Sequence, residues 1–114
     1  MKETLKKHLK EALFLENRGF KVEAKRYYDQ VKGHLDLLDA EELTFVSKFY
    51  DLIDEPDIVL GASRLGIAKA GDIRELAPLF ILAWEKVSQD INDLEWLLNQ
   101  PGTDYLSVER LVIA

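Results

Sequence analysis

A chain of 114 residues, 47% hydrophobic and 32% charged, is long enough for one modest core and too apolar for a disordered segment. It contains no cysteine, which excludes a disulfide framework, a thiolate metal site and a cysteine nucleophile. No stretch reaches transmembrane length and Met1–His8 has no signal-like apolar run, so a cytoplasmic protein is expected. The net charge of −6 argues against nucleic acid as the main partner, because phosphate contacts need a basic surface. That charge is unevenly spread. Residues 1–35 carry nine Lys/Arg against five Asp/Glu, whereas residues 36–57 carry Lys48 against eight acids.

The first predicted helix spans Glu3 to Arg18, with Leu5, Leu9, Ala12, Leu13 and Leu15 on its apolar side and Gly19 as its stop. A second runs from Lys21 to Leu38 on Ala24, Tyr28, Val31, Leu35 and Leu38. So short a link implies an antiparallel hairpin. Asp39, followed by Glu42, spells a capping box for a third helix through Leu43, Val46, Phe49, Tyr50 and Ile53. That helix ends in the acidic turn Asp54-Glu55-Pro56-Asp57. Ile58 to Ala70 forms a shorter fourth element, interrupted by Gly61 and Gly66. Small residues there are expected to permit close helix packing.

The main element is a long helix over about 72–99, capped by Asp72 with Glu75 at the capping-box position. Its apolar stripe comprises Ile73, Ala77, Phe80, Trp84, Val87, Ile91, Leu94 and Leu98, in steps of three and four. Pro78 predicts a kink or a broken first turn. The segment 103–114 suits a short helix docking on the body, with a strand pairing to another chain as the alternative. The fold class is therefore all-α: a single domain, 1–114, as a compact bundle of four to six helices around that long helix.

Chemistry-bearing patterns are sparse. His8 and His34 lack partners at metal-ligand spacing, and neither HExxH nor Glu-x-x-His occurs. The acidic turn from Asp51 to Asp57 lacks the order of an EF-hand loop. Gly61 to Gly66 has the outer spacing of a phosphate loop, but Ile67-Ala68 stands where Lys-Ser/Thr is needed. No enzyme, cofactor or metal is expected. Ala62-Ser63-Arg64-Leu65-Gly66-Ile67-Ala68 resembles the first helix and turn of helix-turn-helix DNA readers, although Asp72 occupies the position those domains keep apolar. On that alternative, residues 58–76 form a regulator that contacts nucleic acid through Arg64, Lys69 and Arg74.

Gly19-Phe20-Lys21-Val22-Glu23-Ala24-Lys25-Arg26-Tyr27-Tyr28 resembles the turn and second helix of a tetratricopeptide repeat. The resemblance implies a helical-hairpin scaffold that binds protein or peptide and has no catalytic residues. The leading expectation is a small acidic protein–protein interaction module: an adaptor, inhibitor or chaperone-like protein that uses helix faces. Trp96, Leu97, Tyr105 and Tyr27 are the candidate contacts. A homodimer with the 77–98 stripe as its seam is the other alternative.

Overall fold

The computed structural model describes residues 1–103; the segment 104–114, which includes Tyr105 and most of the expected docking tail, lies outside the described residues. The fold is all-α: six α-helices and one 3₁₀ helix, with no strand among the described residues. The chain divides into two compact units, Met1–Leu38 and Asp39–Ala114.

The first unit is a helical hairpin. Helices α1 (Lys2–Asn17) and α2 (Lys21–Val31) pack together through Leu5, Leu9 and Ala12 on one and Ala24, Tyr28 and Val31 on the other, all buried. Gly19 sits at φ +85°, and behind it Phe20 N donates to Leu15 O (2.9 Å) and Gly19 N to Glu16 O (3.0 Å). This left-handed closure satisfies carbonyls that the last turn leaves open, and glycine adopts it without a Cβ penalty. Neither helix has a side-chain cap at its N-terminus. A polar clamp helps to hold the hairpin instead: the Tyr28 hydroxyl donates to Glu16 Oε1 at 2.6 Å. Burial, then the hydrogen bond and charge of Glu16, push the Tyr28 phenol well above its usual range. The second helix is shorter than the spacing predicts. After Val31 the chain tightens into a 3₁₀ helix, Lys32–Leu37, in which His34 has φ −133° and ψ 36°. Gly33 next to His34 weakens the α-helix at this point.

The second unit holds the remaining four helices. Helix α3 (Ala40–Leu52) starts with the capping box the sequence spells: Asp39 Oδ1 accepts from Glu42 N (2.8 Å) and Glu42 Oε1 from Asp39 N (2.9 Å). It ends at Asp54, φ +58°, with Glu55 N donating to Tyr50 O. The acidic turn is thus a helix terminus, and Asp54 accepts from Lys86 at 2.9 Å. That bond holds the Lys86 pKa above its ordinary value. Helix α4 (Pro56–Ala68) is continuous through both glycines. Gly66 is there for space: a Cβ would meet Leu76 Cδ1 at 2.9 Å, whereas at Gly61 nothing lies within 4 Å.

The turn into helix α5 (Ile73–Val87) separates two properties of glycine. Ala70, not Gly71, takes the left-handed conformation (φ +63°), while a Cβ on Gly71 would lie 2.8 Å from both Gly66 O and Leu76 Cδ1. Asp72 caps α5 by accepting from Arg74 N. Glu75, expected as the capping-box partner, pairs with Lys48 of α3 instead.

The long helix over 72–99 is two helices. Helix α5 is not broken at Pro78, which lies exposed within it. The break comes at Ser88-Gln89-Asp90, after which helix α6 (Ile91–Leu98) begins under an Asp90 cap. One core cluster of this unit gathers Ile67, Leu76, Ala77, Phe80 and Leu97, all buried, with Leu60, Ile73, Ile81 and Trp96 packed against it.

Candidate functional site

The α5–α6 corner is built by local hydrogen bonds. Ser88 N and Gln89 N both donate to Trp84 O (3.0 and 2.9 Å), and Gln89 turns to φ +56°. The indole Nε1 of Trp84 donates to Asp90 O at 2.7 Å, which pins the far side of the turn. Asp90 Oδ1 then accepts from Asn92 N (3.0 Å), satisfying an open donor at the start of α6. Trp84 therefore works as a partly buried strut, not as the core residue the stripe implied.

The break rotates the register of everything beyond it. In α6 the buried residues are Leu94 and Leu97. Two members of the expected stripe beyond the break point to solvent instead, Ile91 at 61% and Leu98 at 39% exposed, and Val87 just before it is 41% exposed. Ile91 and Leu98 are seven positions apart and share a helix face with exposed Glu95 between them. This outward face is the feature that the stripe reading missed. Its signal was present in the sequence: Ser88, Gln89 and Asp90 interrupt the apolar run, and Asp90 precedes Asn92-Asp93 as a cap would.

The candidate contacts named from the sequence separate. Leu97 is fully buried in the core of the second unit, so it offers nothing to a partner. It occupies that place because the break turned α6 about its axis. Trp96 is half-buried, its ring 5.6 Å from that of Phe80 and 4.6 Å from the Arg64 guanidinium. Tyr27, in the first unit, is half-buried with its ring 5.9 Å from His8. Tyr105 lies outside the described residues.

Of the alternative nucleic-acid contacts, Arg64 is engaged within the protein. Its Nη1 pairs with Asp93 Oδ1 at 2.9 Å while its plane covers Trp96. Asp93 also accepts from Ser88 Oγ, so a single carboxylate ties α4, the corner and α6 together. Lys69 and Arg74 are exposed at the two ends of the α4–α5 turn. The uninterrupted 77–98 seam needed for the dimer reading is absent, because Ala77 and Phe80 are enclosed and the helix breaks at 88–90.

Among the described residues no group of three or more His, Asp or Glu could hold a metal ion. No helix of the described residues is long and apolar enough to cross a membrane. No protein-family model, curated protein or solved structure matches this chain.

Proposed function

We propose that the chain is a small, non-enzymatic protein–protein interaction module whose binding face is the outer side of α6 with the corner that leads into it. The observation that supports this is the outward placement of Val87, Ile91 and Leu98 in a unit where Ala77, Phe80 and Leu94 of the same stripe are enclosed. Covering such side chains yields roughly 25 cal/mol per Å² of apolar area removed from water. A short helix presenting Ile91 and Leu98 one above the other fits a shallow groove or a partner helix. The polar corner residues, held by fixed hydrogen bonds, would form the rim.

Ile91→Asp tests the reading. Ile91 makes little of the core, so the variant should melt within a few degrees of the wild type. Immobilised wild type and variant are compared for proteins retained from the native host. A protein held by the wild type and lost by Ile91→Asp supports the proposal; identical retention by the two overturns it.

A further inference from the structure

The second unit also contains a groove of about 400 Å³ between the first half of α3 and the turn into α5. That volume is within the range of clefts that accept a ligand or a large side chain, roughly 300–1,000 Å³. Phe45, half-buried, and Ala40 supply its apolar part. Glu41, Asp72, Glu75 and Lys48 line the rest, three carboxylates against one ammonium, and that ammonium is already paired with Glu75.

Two alternatives fit this lining less well. An anion would be drawn to the N-termini of α3 and α5, but Asp39 and Asp72 already place carboxylates on those backbone donors. A bound metal needs a cluster of ligands, and the described residues offer none. The surrounding charge favours a cation. The unit Asp39–Ala114 has six Lys/Arg and 15 Asp/Glu, a net of 6 − 15 = −9. Such a field concentrates basic partners near the surface. An arginine or lysine then has two matching surfaces here, an aromatic wall for its alkyl stem and carboxylates for its head.

We infer that this groove receives an arginine or lysine side chain from a basic, apolar segment of the partner protein. The inference rests on the interaction-module reading above and adds the chemistry of the partner. Glu41 gives the groove its charge, since it is exposed at the mouth and neither caps a helix nor lies in the core. Phe45 gives it preference for a segment with apolar character.

The test is a ¹H–¹⁵N titration of the whole chain with the peptide Ac-Leu-Arg-Ala-Arg-Leu-NH₂, and with its counterpart carrying glutamate for arginine. The expected result is a saturable shift confined to Thr44, Phe45, Gly71, Asp72 and their neighbours, seen only with the basic peptide. Affinity should fall about tenfold in Glu41→Lys, equivalent to about 1.4 kcal/mol, with a smaller loss in Glu41→Gln and in Phe45→Ala. Shifts scattered over the acidic surface, equal binding by Glu41→Lys, or no saturable response would overturn it. If the groove fails while Ile91→Asp still loses a retained protein, the α6 proposal survives alone.

Discussion

The two units start and stop their helices by different means. In Asp39–Ala114, aspartates cap α3, α5 and α6, and Pro56 opens α4. In Met1–Leu38, α1 and α2 begin with no side-chain cap, and the hairpin uses a glycine closure and the Tyr28–Glu16 bond. A capped helix keeps its boundaries even where packing is thin. An uncapped one relies on the hairpin contact to hold its ends, so the first unit should open locally at lower cost than the second.

Substitutions can break this contrast, beginning with the most damaging. Phe80→Ala removes the largest side chain of the Ile67–Leu97 cluster and should cost about 3–5 kcal/mol in denaturant unfolding. Tryptophan emission is the readout, because Trp84 and Trp96 both lie in the second unit. Next comes the α4–α5 turn, where adjacent residues should respond with opposite signs. Gly71→Ala forces a Cβ against Gly66 O, a backbone atom that cannot swing aside, and should cost about 1–3 kcal/mol. Ala70→Gly relieves a left-handed alanine and should gain about 0.5–1 kcal/mol. A loss at position 70 would show that the turn geometry is not what sets stability there.

Tyr28→Phe probes the first unit and should cost about 1–2 kcal/mol at neutral pH, since Glu16 loses its donor. It also predicts an alkaline signature. The folded-state pKa of Tyr28 is raised above the ordinary 10.0, so the folded protein holds the phenolic proton more tightly than the unfolded chain. This contribution is fully present below about pH 10 and is lost as pH rises beyond it. Wild-type melting temperature should therefore fall faster than that of Tyr28→Phe between about pH 10 and 11.5. Parallel slopes would show that the bond does not persist in solution. The smallest loss is expected from Asp39→Ala, about 1 kcal/mol for a lost cap. Amide exchange should report it as fraying of the first turn of α3, with α4 unaffected.

Helix identity was legible in the sequence wherever one local signal and one periodic signal agreed. Asp39 with Glu42 announced α3, Gly19 announced the hairpin, and both lie where the pattern put them. Legibility failed where apolar spacing continued across a break. Val87, Ile91 and Leu98 keep the helical period on paper, but Ser88, Gln89 and Asp90 satisfy their backbone by turning instead. Periodicity records which residues would share a face if the helix continued; it holds no information on whether it does. Gly71 shows a related limit, because a sequence does not distinguish a glycine needed for its dihedral angles from one needed for clearance. At 70–71 the two needs fall on neighbouring residues. The α6 face followed from neither signal alone, since it exists only after the break has turned Leu97 inward.

The bond from the Trp84 indole to Asp90 O spans Val87 in sequence and ends one residue before Ile91. Its environment is set by the same turn that exposes those two residues. A partner that seats on the corner without disturbing it should leave the indole proton slow to exchange and its emission merely blue-shifted. One that pries the turn open should release that proton to solvent and shift the emission to the red. The protein thus carries its own optical gauge of how it is gripped.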